Sequence, residues 1–140
     1  MILYLDTSSL LKLYVEEKGS AKVADFLKSS EIAATSIVGY AEARAAFARK
    51  FREKAFTVQK YGRFVSAFKK DWESYLIVKV TKEIVWLAGD LAERHSLKGL
   101  DAIHLSSAIT LGKESASPIT FLCADRKLQR ASKLEELQQP

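Results

Sequence analysis

The sequence predicts an α/β fold of three layers, with helices on both faces of a short, mostly parallel central sheet of four or five strands. Two observations carry this. Four β-rich runs stand out: Ile2 to Leu5, Ile32 to Ala34, Tyr75 to Val80 and Ile119 to Cys123. The intervals between them are far too long for hairpin turns, and they carry apolar residues at the three- and four-residue spacing of buried helix faces. Strands joined through helices run parallel and are covered on both sides.

Taken in order, the chain opens on an apolar run that Asp6 interrupts before a signal-peptide core is complete, and no basic stretch precedes it, so the run reads as the first strand. After the second strand, Ser36 reads as the cap of a helix through Ala41, Ala45 and Ala48. A second helical stripe follows in Tyr61, Phe64, Val65, Phe68 and Trp72. Beyond the third strand, Thr81 is placed to cap a helix whose buried face is Ile84, Leu87, Ala88, Leu91 and Ala92. Ala102, Leu105, Ala108 and Ile109 define another, leading to the last strand. No linker, repeat or low-complexity tract interrupts this pattern, so residues 1–140 are expected to form a single domain, with only Gln138, Gln139 and Pro140 frayed.

Composition narrows the function classes. The 140 residues are 48% hydrophobic and 28% charged, as in ordinary globular domains, and a chain of this size can bury about two thirds of its unfolded surface. One cysteine and two histidines exclude both an internal disulfide framework and a Cys/His zinc site, and a reducing, cytoplasmic setting is expected. No apolar run is long enough to span a bilayer, so no membrane role is expected. The net charge of +5 is unevenly spread. Nine cations (Arg44, Arg49, Lys50, Arg52, Lys54, Lys60, Arg63, Lys69, Lys70) and the single acid Glu53 lie between Arg44 and Lys70, which puts +8 there and −3 elsewhere. Such a split suits a polyanion in one place and a cation in another. Phe47, Phe51, Phe56, Tyr61, Phe64 and Phe68 are interleaved with these cations. They suit stacking platforms for single-stranded nucleic acid, but the four-residue spacing of Phe47 with Phe51 and of Phe64 with Phe68 is also that of a core stripe with the cations solvated behind it.

In parallel α/β sheets, ligands bind where the carboxyl ends of the strands lead into helices. Asp6 directly follows the first strand, and Asp125 follows the fourth after one residue. Glu42 is expected about two turns into the helix after the second strand, and Asp101 opens the helix after Leu97-Lys98-Gly99-Leu100. Singly, each acid reads as a helix cap, a turn residue or a solvated charge. As a set, lying among apolar and small neighbours, they would repel one another and rise in pKa unless a cation sat between them. Oxygen-only ligands select hard ions, Mg²⁺ or Mn²⁺.

The order of these motifs resembles the PIN-domain ribonucleases, in particular the VapC-type toxins of toxin–antitoxin pairs. The matching pieces are Tyr4-Leu5-Asp6-Thr7-Ser8, Tyr40-Ala41-Glu42, Leu100-Asp101-Ala102-Ile103-His104-Leu105 and Phe121-Leu122-Cys123-Ala124-Asp125-Arg126, and they extend over essentially the whole chain. The resemblance implies that Asp6, Glu42, Asp101 and Asp125 are the catalytic acids that hold Mg²⁺ or Mn²⁺. Ser8 matches a hydroxyl the family often carries two residues beyond the first acid. Cys123 is a departure, standing where the family commonly has Thr or Ser, and a thiol is a poorer hydrogen-bonding group than a hydroxyl. The implied reaction is metal-dependent hydrolysis of an RNA phosphodiester in single-stranded or loop regions, with no side-chain nucleophile. The implied partners are a second copy of the chain and a cognate antitoxin protein.

Two residues near the acids read more simply. His104, three residues after Asp101, is expected to be a packed or half-exposed histidine rather than a support behind the acids or a proton shuttle, and Cys123 a small hydrophobe at a strand end. Two other functions compete. An aspartyl-phosphate phosphatase of haloacid dehalogenase type would also place an Asp after the first strand, but it needs a second Asp two residues on, where this chain has Ser8. A catalytically inactive module of the same fold would bind RNA or protein through the basic segment and hold no metal.

Overall fold

The computed structural model describes residues 1–140. The elements run β1 (Ile2–Leu5), α1 (Thr7–Leu11), α2 (Ser20–Ser29), β2 (Ile32–Ser36), α3 (Val38–Arg52), α4 (Val58–Trp72), β3 (Leu76–Val78), α5 (Lys82–His95), α6 (Gly99–Glu114), β4 (Ile119–Leu122) and α7 (Arg126–Leu134). The four strands form one sheet in the order β3-β2-β1-β4, and every pairing is parallel. Ile2 pairs with Ile32 on one side and Ile119 on the other, so β1 is interior and buried along its whole length.

Alternation along β1 builds the three layers. Ile2 and Tyr4 join a core with Ala34, Leu91, Leu105, Ala108, Ile119, Phe121 and Leu128, the side covered by α5, α6 and α7. Leu3 and Leu5 face the opposite core, made by Leu10, Val15, Val23, Ala43, Phe47, Phe68 and Leu122 with α1 to α4. The strand order has a consequence for function. The chain steps outward from β1 to β2 to β3 and then returns to the other side of β1 as β4, so the direction reverses between β1 and β4. Crevices of this kind, at the carboxyl ends of the strands, are where open α/β sheets bind ligands.

Thr81 caps α5 through a bond from the Ile84 N–H at 3.2 Å, as its sequence position predicts. Four details differ from the sequence reading. The N-cap of α3 falls on Ile37 rather than Ser36, which stays in the sheet and only accepts from the Val38 N–H at 3.3 Å. Because α3 begins at Val38, Glu42 lies about one turn in, not two. β4 ends at Leu122, so two residues separate it from Asp125. The chain end is tied down: Gln138 accepts from the Phe121 N–H and donates to the Ile119 carbonyl, which satisfies the open edge of β4.

The basic segment resolves as a helical hairpin. Phe47 and Phe68 are fully buried, with ring centroids 5.6 Å apart, and Phe56, Tyr61 and Phe64 pack beside them. Phe51 stacks on Tyr61 at 4.8 Å and Phe56 meets Phe64 edge-on at 5.0 Å. Those aromatics are therefore the core that joins α3 to α4, while of the nine cations only Lys50 enters an ion pair, with Glu17.

Candidate metal centre

Asp6 is buried, at 4% exposure, and acts as the N-cap of α1. Its Oδ1 accepts from the Ser9 N–H at 2.9 Å and from the Ser8 hydroxyl at 2.8 Å. The helix-cap reading of Asp6 thus holds, and the same residue sits at the β1 end of the crevice. Burial pushes its carboxyl up; the Ser9 N–H, His104 and Ser8 act against this. Ser8 also accepts from the Ala124 N–H at 3.4 Å, tying the end of β1 to the loop after β4.

Glu42 is half-buried and held from two sides. The Thr7 hydroxyl donates to its Oε1 at 2.7 Å, and His104 Nε2 lies 2.8 Å from the same oxygen. Burial raises its pKa, but the bonds from His104 and Thr7 outweigh that and leave the carboxyl lower than usual. Asp101, in the first turn of α6, is half-buried and accepts no hydrogen bond. Its carboxyl is pushed up by burial and then by Asp6, Asp125 and Glu42, with only His104 pulling the other way. Asp125 is exposed and caps α7, accepting from the Leu128 N–H at 3.0 Å.

Cys123 lies among these acids. Its thiol is pushed up by burial and then by Asp6, Asp125 and Asp101. The expectation of a small, buried residue is met.

Four acids from four parts of the chain therefore share one electrostatic neighbourhood at the β1/β4 switch. As they stand, no three His, Cys, Asp or Glu side chains are gathered into a ready-made metal cage. Asp6 and Asp125 are turned onto helix N–H groups and Glu42 onto Thr7 and His104, which leaves Asp101 as the carboxylate without a partner. The donor chemistry fits a hard divalent ion: the acids offer oxygen alone, and the rise in the Asp6 and Asp101 pKa values is the strain a bound cation relieves.

Two features here were invisible to sequence spacing. The contact of His104 with Glu42 joins residues far apart in the chain. Likewise, Lys12, Lys18 and Lys22 line a cavity of about 310 Å³ that reaches Cys123 and Ala124, which places cations from outside the basic segment beside the loop that leads to Asp125. A local charge count finds only the densest run.

The model of the PIN domain matches residues 3–134. The chain belongs to the PIN-domain family. Among its relatives, Ribonuclease VapC49 of Mycobacterium tuberculosis is 32% identical over 115 residues, covering 79% of this chain and 77% of the relative. Ribonuclease VapC46 of the same organism is 31% identical over 131 residues, covering 94% and 90%. Among solved structures, VapBC2 from Rickettsia felis, bound to a DNA fragment from its promoter, superposes with a TM-score of 0.67. That match covers 100% of this PIN domain and 98% of the other chain at 15% identity, and it supports the fold. No helix of this PIN domain is long and apolar enough to cross a membrane.

Proposed function

We propose that this PIN domain is a VapC-type endoribonuclease, the toxin of a toxin–antitoxin pair, and that Asp6, Glu42, Asp101 and Asp125 form its Mg²⁺- or Mn²⁺-dependent catalytic site. The observation that carries this reading is Asp101 at the switch point, a half-buried carboxylate with no hydrogen-bond partner, raised in pKa by burial and then by the charges of Asp6, Asp125 and Glu42. The relatives named as ribonucleases support the activity, and the likeness in fold to a solved toxin–antitoxin complex from Klebsiella pneumoniae (TM-score 0.58, 19% identity, covering 84% of this chain and 83% of that one) supports a protein antitoxin as partner. A second copy of the chain, a cytoplasmic setting and a single domain over residues 1–140 complete the proposal.

When bound, the ion supplies a Lewis acid for the phosphoryl group and its attacking water. Asp6, at the end of β1, and Asp101, in the first turn of α6, would be its primary holders. Glu42, kept ionised by Thr7 and His104, is a fixed negative charge able to orient a water. Lys18 and Lys22, beside the loop that carries Asp125, offset the charge of flanking RNA phosphates.

The test is cleavage of labelled single-stranded and hairpin RNA by partner-free protein in Mn²⁺, Mg²⁺ or EDTA, beside Asp6→Asn and Asp101→Asn. Discrete metal-dependent cuts that both variants lose are expected. Intact RNA with folded protein would favour the non-catalytic binding module, which the absence of a compact ligand trio also suits.

A further inference from the structure

We infer that Tyr4 and His104 form a buried positioning relay that holds the Glu42 carboxylate at the acid site. This rests on the proposed role of Glu42, and the relay touches no substrate itself. His104 is 1% exposed and lies on α6, one turn from Asp101. Its Nε2 lies 2.8 Å from Glu42 Oε1 and 3.1 Å from the Thr7 hydroxyl. A carboxylate only accepts, so Nε2 carries a proton and donates it. On the far side of the ring, Nδ1 lies 2.9 Å from the hydroxyl of Tyr4, whose side chain is fully buried in β1. With the ring neutral, Nδ1 accepts from that hydroxyl, so Tyr4 anchors the far side of the ring in the tautomer that the Glu42 carboxylate requires. Thr7 closes the arrangement by donating to the same carboxylate oxygen at 2.7 Å.

The geometry links three elements that each bring an acid or its support: β1 with Asp6 at its end, α3 with Glu42, and α6 with Asp101. Without the relay, Glu42 keeps one bond from a rotatable hydroxyl and gains freedom to turn away. The ring of Tyr4 is independently anchored, stacked on Phe121 with centroids 5.5 Å apart and planes 9° from parallel. Tyr4→Phe therefore removes only the hydroxyl and leaves the packing.

The variants are Tyr4→Phe, His104→Ala and His104→Gln, the last restoring an N–H near the Nε2 position without a tautomer to choose. Three measurements read the relay. Long-range ¹H–¹⁵N spectra of the full chain report the His104 tautomer: the parent should show the proton on Nε2, and Tyr4→Phe the same tautomer with the Nδ1 signal moved by loss of the hydroxyl bond. Calorimetric titration with Mn²⁺ alone should weaken roughly 10-fold or more in Tyr4→Phe and His104→Ala, the scale found when partners of metal-binding side chains are removed, with partial recovery in His104→Gln. Cleavage kinetics should lose kcat with KM for RNA unchanged. A parent His104 protonated on Nδ1 alone, or folded variants that bind Mn²⁺ as the parent does, would overturn the inference. A parent that neither binds Mn²⁺ nor cuts RNA would instead sink the proposed function. The relay would then stand or fall on the tautomer and on whether Tyr4→Phe shifts the Glu42 carboxyl ¹³C signal, which an idle histidine would leave in place.

Discussion

The acid crevice and the α3–α4 hairpin are built on opposite plans. In the hairpin, most of the charge points outward and the aromatic rings point inward, so the rings hold the fold and, Arg44 on Tyr40 and Lys50 on Glu17 apart, the cations are incidental to the packing. In the crevice, charge points inward: burial raises the pKa of Asp6, and burial together with the charges of Asp6, Asp125 and Glu42 raises that of Asp101. The first plan maximises stability. The second gives some up to create a place where a cation is wanted, a trade found at functional sites.

The comparison is broken most directly in the hairpin. Phe68→Ala empties a fully enclosed site and is expected to cost about 3–5 kcal/mol in denaturant unfolding, the range for large-to-small changes at buried aromatics. Its exposed neighbours Lys69 and Lys70, replaced by Ala, should each stay within about 0.5 kcal/mol. Equal losses at all three positions would mean that the cations are structural after all.

Asp101→Asn should act in the opposite sense, cutting RNA cleavage by about 100-fold or more, yet raising the melting temperature of the metal-free protein. The sign follows from linkage. Asp101 is raised in the folded chain, so as pH climbs from the ordinary aspartate range the unfolded chain gives up the proton first, and stability falls through that window. The asparagine variant should lack that part of the decline. The same substitution should erase Mn²⁺ stabilisation, which in the parent amounts to about 2.7 kcal/mol when free metal is 100 times its Kd. A melting temperature that Mn²⁺ leaves unmoved in the parent would remove the cation from the crevice.

How much of this could be read from the sequence divides along the same line. The strands, the Thr81 cap and the core stripe of Phe64 and Phe68 were legible because they follow local periodicity and capping chemistry. The rim position of Asp6 and Asp125 was legible because strand ends locate it. The shift of the α3 start from Ser36 to Ile37 was not, since the Ser36 hydroxyl competes for nearby N–H groups whether or not it caps. Gln138 looked like a frayed polar end because its pairing with β4 uses only backbone groups, which composition does not report. The partner of Glu42 was hidden for a third reason: His104 is placed by the packing of α6 against the sheet, and its spacing from Asp101 gives the helix face without saying what lies across it.

A third region sharpens the contrast with Asp101. Glu135, after α7, receives bonds from Arg94 and His95 at the end of α5. Burial raises its carboxyl, but the bonds from His95 and Arg94 together outweigh that and leave it lowered. A lowered glutamate stabilises the fold above its ordinary range and loses that contribution as pH falls through its folded value. Glu135→Gln should thus flatten the acid side of the stability profile, the side on which Asp101 gains. An unchanged acid limb in Glu135→Gln would show that the contact is too solvated to matter, as many surface pairs are.

The smallest expected effect is at Cys123, where the two plans meet: an apolar strand end set among acids. Burial and the negative charges of Asp6, Asp125 and Asp101 all disfavour the thiolate, which is the form that reacts. Alkylation by iodoacetamide at neutral pH should therefore be much slower in the folded protein than in denaturant. Cys123→Ser should barely change the fold, since the thiol makes only a long contact of 3.8 Å to the Asp125 carbonyl. It would place a stronger donor beside the loop that carries Asp125. If Cys123→Ser tightens Mn²⁺ binding, the thiol is a weakness in the fourth acidic position; unchanged affinity would show that Asp125 is held well enough by its cap on α7.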